Sequence, residues 1–399
     1  MQPIEIRPNV YWVGVNDRST DLFEGLWPIL NRGVSYNSYL IKDEKTALID
    51  LSKETFTDDF VEQVSKLINL EDLDYVIVNH MEPDHSGALL RIRELAPKAK
   101  FLGMGKAIAM MNDFYGITEN VEVVKHEQTL SLGKNTLRFL FTPLVHWPET
   151  MMTYMMEEKI LFSCDGFGSY GALDGSIFDD ETKDLQFYES EALRYYTNIV
   201  AAFSKNVLQA IGKVSIYPVE VVAPSHGLVW RKDPARIIGL YKRWAELASQ
   251  PAEAGVTVLY GSMYRNSERA MNYALQAITN EGVPVEVFNV GVTEASFILP
   301  SLWTKQGLLV AAPTYERAMF PPMVYVLNIA EIKGVRNRAA GYIGSYAWSG
   351  GAKGVFEEYA TRLAWDVVGT HEFNGSAKEE DIRQIQSLAQ QVALRSKQG

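Results

Sequence analysis

Two textures of apolar and polar positions follow one another along the chain. In the first part, short apolar runs at strand length alternate with turn residues and a few helical patterns. Residues 10–15, 36–41 and 46–51 read as strands, the last leading into a helix over 55–68. A further apolar strand over 73–78 runs into Asn79-His80-Met81-Glu82-Pro83-Asp84-His85. The stretch 121–143 reads as hairpins turning at Gly133-Lys134-Asn135, and strands over 152–156 and 160–163 flank the turn Glu157-Glu158-Lys159. A long helical pattern covers 182–211, and a strand over 219–223 leads into Pro224-Ser225-His226-Gly227.

The texture changes at the polar, Pro- and Gly-containing stretch 249–255, which reads as a domain boundary. Beyond it strands and helices alternate. Strands are expected over 256–260, 285–290, 308–312, 339–343 and 365–369, and helices over 268–281, 296–306, 322–333, 353–363 and 378–397. Such βα alternation predicts a doubly wound parallel sheet.

Composition narrows this little. At 399 residues the chain has room for two or three domains, and 47% hydrophobic with 22% charged residues is ordinary for a globular protein. A net charge of -11 with no basic patch argues against nucleic acid or an anionic membrane as partner. No apolar run reaches the length of a membrane span, and the start MQPIEIRPNVYWVG lacks a signal peptide's basic and apolar regions. One cysteine, Cys164, leaves no internal disulfide and no four-cysteine metal site, so a cytoplasmic location is expected. Cys164 itself reads as a small buried apolar residue.

The chemistry is concentrated in the histidines. Of six, His126 and His371 read as structural. The other four sit where strands end: His80 and His85 after 73–78, His146 after the apolar run 139–145, and His226 after 219–223. Glu82 lies within the first group, and Asp165 follows the strand 160–163. Three or four ligands suffice for one metal. Six candidates, His80, Glu82, His85, His146, Asp165 and His226, suggest two metals that share a carboxylate.

These motifs resemble the metallo-β-lactamase superfamily, whose first motif is His-x-His-x-Asp-His, followed by a separate His, Asp and His. Here Glu82 stands in place of the second His, and a carboxylate favours a harder metal than zinc. With a flavodoxin-like second half, the chain resembles the flavodiiron proteins (A-type flavoproteins). The resemblance implies an N-terminal metallo-β-lactamase-like αββα sandwich over 1–250 and a C-terminal flavodoxin-like FMN domain over 255–399. By position it assigns His80, Glu82 and His146 to one iron and His85, Asp165 and His226 to the other, Asp165 bridging. In some members the His at the position of His85 turns away from the metal. Asp84 is expected behind the ligands, hydrogen-bonding an imidazole and fixing its tautomer. Glu24, in Leu22-Phe23-Glu24-Gly25, occupies a loop near the diiron pocket where members often carry a His.

In the second half, Tyr260-Gly261-Ser262-Met263-Tyr264-Arg265-Asn266-Ser267 joins the first strand to the first helix. It is neither a Walker loop nor a dinucleotide fingerprint. Ser262, Met263, Tyr264, Arg265, Asn266 and Ser267 instead suit a monophosphate at a helix N-terminus, and the loop resembles the flavodoxin phosphate loop. Two more loops at the carboxyl edge of the sheet can flank a flat ring: Pro313, Thr314, Tyr315 and Glu316, then Ser345, Tyr346, Ala347, Trp348, Ser349 and Gly350. Tyr346 and Trp348 are the expected flavin neighbours.

The resemblance implies a reductase of dioxygen to water, of nitric oxide to nitrous oxide, or of both, carrying FMN and two iron ions per subunit. Reduced FMN and two ferrous ions together store the four electrons that dioxygen needs. It further implies a head-to-tail homodimer or dimer of dimers, in which the flavin of one subunit faces the irons of the other. A rubredoxin domain needs four cysteines, so the electron donor is expected to be a separate rubredoxin, with reduced coenzyme F420 as the rival. From the residues alone, two other classes stay open. One is a dinuclear zinc hydrolase fused to a flavodoxin-like module, against which Glu82 and the second half argue. The other is an electron carrier or sensor with a vestigial metal site, against which the intact ligand set argues.

Overall fold

A computed structural model describes residues 2–30 and 32–398. The chain divides into two compact units, Met1–Ala245 and Glu246–Gly399.

Two sheets build the first unit. One is seven-stranded, in the order Ile4–Arg7, Val10–Trp12, Tyr39–Ile41, Ala47–Ile49, Tyr75–Ile77, Lys100–Gly103 and Val121–Val123. Its first four strands pair antiparallel and the rest parallel. The other sheet orders Thr129–Ser131, Thr136–Phe141, Met151–Met155, Ile160–Cys164 and Val221–Pro224, and only its last pair is parallel. The sheets meet face to face: the Tyr39 and Phe162 rings lie 5.2 Å apart, and the Tyr39 hydroxyl donates to the Pro224 carbonyl at 2.8 Å. Their central strands are buried throughout, which explains the unbroken apolar runs of the sequence.

Four expectations change here. The expected strand 10–15 is two strands: Val10–Trp12 pairs with Tyr39–Ile41, whereas Val15–Asp17 pairs with Val34–Tyr36. The break falls at Gly14, where an added Cβ would lie 2.4 Å from the Tyr36 carbonyl oxygen. The stretch 36–41 is likewise divided at Asn37, whose side-chain amide donates to the carbonyls of Pro224 and Gly227, both at 2.9 Å. Of 121–143, only the second half forms a hairpin; Val121–Val123 adds parallel to Lys100–Gly103. The expected helix 182–211 is Leu185–Tyr195, a π turn over Tyr196–Val200, a 3₁₀ turn and then Ser204–Val214. Periodicity cannot register such a break because the apolar face continues through it: Tyr196 to Val200 are all buried.

The second unit is a parallel sheet ordered Val285–Asn289, Glu253–Tyr260, Lys305–Ala311, Ala339–Tyr346 and Asp366–Asn374. With the strands numbered along this unit, that is the order 2-1-3-4-5 of flavodoxin-like sheets. Its core sets Val256, Val258, Leu309 and Ile343 of the strands against Ala270, Ala274 and Ile278 of the helix Asn266–Asn280, and against Ile385, Ala389 and Val392 of Glu379–Ser396. The spacing of three and four residues is that of one helix face. The first strand begins at Glu253, inside the expected linker, where Lys305 Nζ lies 4.0 Å from the Glu253 carboxylate. Among the described residues no helix is long and apolar enough to cross a membrane.

Candidate metal and flavin sites

All the candidate metal ligands come from the ends of strands in the first unit. His80 follows Tyr75–Ile77, and a short helix, Pro83–Ser86, starts directly after Glu82, which is its N-cap, with Pro83 in the first helical position. That helix carries Asp84 and His85, and it is tied down by the Leu51 amide, which donates to the His85 carbonyl at 2.9 Å. Asp165 leaves Ile160–Cys164 through Cys164, a non-glycine residue at φ 50. Next to it the Ser225 amide donates to the Cys164 carbonyl at 2.8 Å, which brings His226 alongside.

These side chains converge in two groups around one carboxylate. Asp165 Oδ2 lies 3.2 Å from His80 Nε2 and 3.5 Å from His146 Nε2. Glu82 Oε2 lies 3.3 and 2.9 Å from the same two nitrogens. On the other side, Asp165 Oδ1 lies 3.0 Å from His85 Nε2 and 3.4 Å from His226 Nε2. Asp84 oxygens lie 3.4 and 3.3 Å from those nitrogens. The sequence reading put Asp84 behind the ligands; the structure brings its carboxylate in among them, in one metal-sized group with His85 and His226. His85 faces inward, and it too reaches Asp165. His126 and His371 stand apart, bonded to the Phe141 amide and to Asp381.

Burial opposes a charge on these rings, but the carboxylates outweigh it. Against burial, Glu149, Glu82 and Asp165 hold His80 well above a free imidazole, and Asp165 and Asp84 hold His226 up at about 10. Burial would raise Asp165, yet His85, His226 and His80 keep it well below the usual carboxylate range. Glu24 goes the other way: burial and the charge of Glu82 push it up to about 7. Trp27 Nε1 donates to Glu24 at 3.0 Å, and Glu24 lines a cavity of about 270 Å³ with Phe23, Tyr36, Lys53, Glu82 and Asp84.

The donor chemistry fits metal ions. Although these nitrogens and oxygens face one another at 3.2–3.5 Å, His226 Nε2, Asp165 Oδ2 and both Asp84 oxygens are buried without an aligned hydrogen bond among the described residues, a costly arrangement for polar atoms unless a cation takes their lone pairs. Each group offers two imidazoles and one carboxylate, and Asp165 can serve both. That donor set suits non-haem iron.

Sequence reasoning missed the residues that hold this cluster. Glu149 accepts from His80 Nδ1 at 2.6 Å, and Tyr195 donates its hydroxyl to Asp165 Oδ1 at 3.0 Å. Asp50 anchors Asn79, and the Ser35 carbonyl accepts from His226 Nδ1 at 2.7 Å. Only Glu149, three residues beyond His146 in His146-Trp147-Pro148-Glu149, left a local signal: a carboxylate next to an expected ligand.

The second unit holds a cavity of about 320 Å³ at the carboxyl edge of its sheet. Ser262, Met263, Tyr264, Asn266 and Ser267 line it from the first loop, and Pro313, Thr314, Tyr315 and Glu316 from the next. Ser345, Tyr346, Ala347, Trp348 and Ser349 complete it, with Arg317 and Gly375, which the sequence reading did not include. Arg265 and Gly350 are not in the lining. Arg265 sits at φ 70 with its guanidinium 3.3 Å from Glu268, and Gly350 packs toward Glu372. The site suits a phosphorylated flat ring. Ser262 Oγ and Ser349 Oγ are buried without partners among the described residues, and the helix Asn266–Asn280 opens onto the loop with its first N–H groups. Trp348, 79% exposed, and Tyr264, 85% exposed, flank the cavity with apolar surface.

Known proteins share this build. A family model described as "ODP family beta lactamase" matches residues 34–227. The nitric oxide reductase of Moorella thermoacetica is 32% identical over 402 residues, covering 99% of this chain and 99% of that protein. The anaerobic nitric oxide reductase flavorubredoxin of Salmonella arizonae is 37% identical over 369 residues, covering 90% of this chain and 75% of that protein. Among solved structures, rubredoxin oxygen:oxidoreductase from Desulfovibrio gigas matches with a TM-score of 0.95 at 27% identity, covering 100% of this chain and 99% of that one. The flavodiiron protein from Giardia intestinalis matches with a TM-score of 0.94 at 28% identity, covering 99% and 97%.

Proposed function

The chain belongs to the flavodiiron proteins, and from that premise we propose that it is an oxidoreductase that reduces nitric oxide to nitrous oxide, dioxygen to water, or both, using FMN and two iron ions per subunit. The observation that carries this reading is the two-sided placement of Asp165, one oxygen toward His80 and His146, the other toward His85 and His226. His80, Glu82 and His146 would hold one iron. Asp84, His85 and His226 would hold the other, with Asp165 between them; this extends the sequence assignment by making Asp84 a ligand.

When bound, the iron pair supplies charge stabilisation and electrons to a diatomic gas, and FMN supplies the reducing equivalents. The chain's own part is to hold and enclose. Phe23, Tyr36 and Trp147 pack edge-on against His226 and His80, which fixes the rings and keeps bulk water away from them. The adjoining cavity is lined by Phe23 and Tyr36 together with Glu24, Lys53, Glu82 and Asp84. In the second unit, Ser262, Asn266, Ser267 and Ser349 would bind the FMN phosphate, and Tyr346 and Trp348 would flank its ring.

The name of the Desulfovibrio protein and that of the flavorubredoxin support a rubredoxin as electron donor. A head-to-tail dimer is supported by exposed apolar residues at both sites: Leu22 in the lining of the metal-side cavity, and Tyr264 and Trp348 in that of the flavin cavity. Contact between those surfaces in two copies would bring a flavin to the irons of its neighbour.

The test is metal and flavin analysis of the purified protein, followed by anaerobic gas-consumption assays with a rubredoxin-based reducing system. About two irons and one FMN per chain, with turnover of either gas, are expected. Two zinc ions without flavin would sink the proposal and restore the hydrolase reading.

A further inference from the structure

The two metal-sized groups match in composition, each with two histidines, one carboxylate of its own and one oxygen of Asp165. Behind the ligands they differ. His80 Nδ1 donates to Glu149 Oε1 at 2.6 Å, and the same oxygen accepts the Met81 amide at 3.0 Å. Glu149 has no exposed surface, and its Oε2 is buried without a partner among the described residues. In the other group, His226 Nδ1 donates to a neutral acceptor, the Ser35 carbonyl, at 2.7 Å, and His85 Nδ1 has no partner among the described residues. Glu149 thus bonds a buried carboxylate directly to an imidazole in one group only; the other buried carboxylate nearby, Asp50, is taken up by the two amides of Asn79.

On the diiron reading above, we propose that Glu149 is a positioning residue that makes the two iron positions unequal, so that the His80–Glu82–His146 position holds ferric iron more tightly, relative to ferrous, than the Asp84–His85–His226 position. An imidazole that shares its Nδ1 proton with a carboxylate is a stronger donor through Nε2 than one bonded to an amide carbonyl. A stronger, more negative donor favours the higher metal charge, and in a water-excluded site the Glu149 charge is poorly screened. The one-electron-oxidised pair therefore carries its ferric ion beside His80.

Glu149→Gln separates this role from simple orientation of the ring. The Gln carbonyl oxygen can still accept from His80 Nδ1 and the Met81 amide, while the charge is gone. The measurement is a potentiometric titration of the iron-loaded wild type and variant, followed by EPR of the one-electron-oxidised state and by Mössbauer spectroscopy. Thermal melts of both apoproteins report on folding. In the variant, the midpoint of one iron is expected to rise while that of the other stays. A tenfold loss of ferric over ferrous affinity at that position corresponds to about 59 mV. Chelator competition should show roughly ten- to hundredfold weaker binding of one iron only. The flavin midpoints serve as internal reference and should not move.

A folded, two-iron variant in which both irons shift together, or neither shifts, would overturn the proposal. If Glu149→Gln does not fold, Glu149→Asp carries the test, because its shorter reach weakens the bond to His80: a raised midpoint at one iron supports the proposal, and unchanged midpoints overturn it. A wild type that binds no iron would instead overturn the diiron reading itself, so the two failures are distinguishable.

Discussion

Asp50 accepts both the backbone amide of Asn79, at 2.7 Å, and its side-chain amide, at 3.0 Å, one residue before His80. Asn79 in turn accepts from the Thr153 hydroxyl at 2.7 Å and, through its carbonyl, from the Met151 amide at 2.9 Å. The residue that launches the first metal motif is therefore pinned to both sheets. Asp50→Ala leaves two buried donors unpaired and is expected to destabilise the apoprotein by about 2–3 kcal/mol. Urea melts of the metal-free protein measure this, and a loss below about 0.5 kcal/mol would count against the anchor.

Asp84 separates two descriptions of the metal centre. If it is a ligand, as its distances to His85 and His226 support, Asp84→Ala should lower the iron content from about two toward about one per chain. If it only orients a ring, both irons stay, with weaker affinity. Iron analysis after desalting against a mild chelator distinguishes these outcomes.

Gly227 follows His226 at φ 79, and a Cβ there would fall 2.0 Å from Ser169 Oγ. Gly227→Ala meets both a strained backbone and a clash, so a loss of about 1–3 kcal/mol is expected. Because the neighbouring side chain is His226, iron should be lost in the same variant. A stable variant with full iron content would show that the turn is more forgiving than its geometry implies.

Trp348 stands 79% exposed at the flavin cavity, where it can cover one ring face. An aromatic contact of this kind is worth about 0.5–1.5 kcal/mol. Trp348→Ala should therefore weaken FMN binding by about two- to tenfold, read from recovery of flavin fluorescence on dilution. No change would place the ring elsewhere in the cavity.

Asp17, which is not a candidate ligand, supplies a pH test for the metal-free protein. It is buried, and it accepts from the amides of Ser19 and Thr20 at 3.0 and 2.9 Å, with Lys53 Nζ 3.8 Å away. Burial alone would raise its pKa; the Thr20 hydroxyl, these amides and Lys53 outweigh it and hold it below the ordinary value. A carboxylate depressed on folding adds stability above its unfolded pKa of about 3.9, and this is lost as pH falls through the folded value. Asp17→Asn should therefore lose stability at about pH 7 and show a flatter acid limb below about pH 4. Equal losses at both pH values would contradict this assignment.

The strand-end positions of His80, His146, Asp165 and His226 were readable because each follows an apolar run; the runs before His80, Asp165 and His226 are strands buried throughout, and the one before His146, Thr136–Phe141, is partly exposed. The βα alternation of the second unit was readable for the same reason, and its strand order follows the expected doubly wound pattern. Glu82 pointed to iron because a carboxylate stands where the resembling motif has a second His, and the flavodoxin-like half agreed with it.

What only the tertiary structure decided are relations between residues distant in the chain. No periodicity brings Glu149 behind His80, Ser35 behind His226 or Tyr195 onto Asp165, since these contacts span 69, 191 and 30 residues. Nor could it move Asp84 from behind the ligands to among them, or turn Arg265 toward Glu268 and out of the flavin cavity. Local sequence fixes which faces are apolar and where strands stop, because burial and backbone geometry act within a few residues. Which polar atoms then face one another depends on how the two sheets close, and that is set by packing across the whole unit.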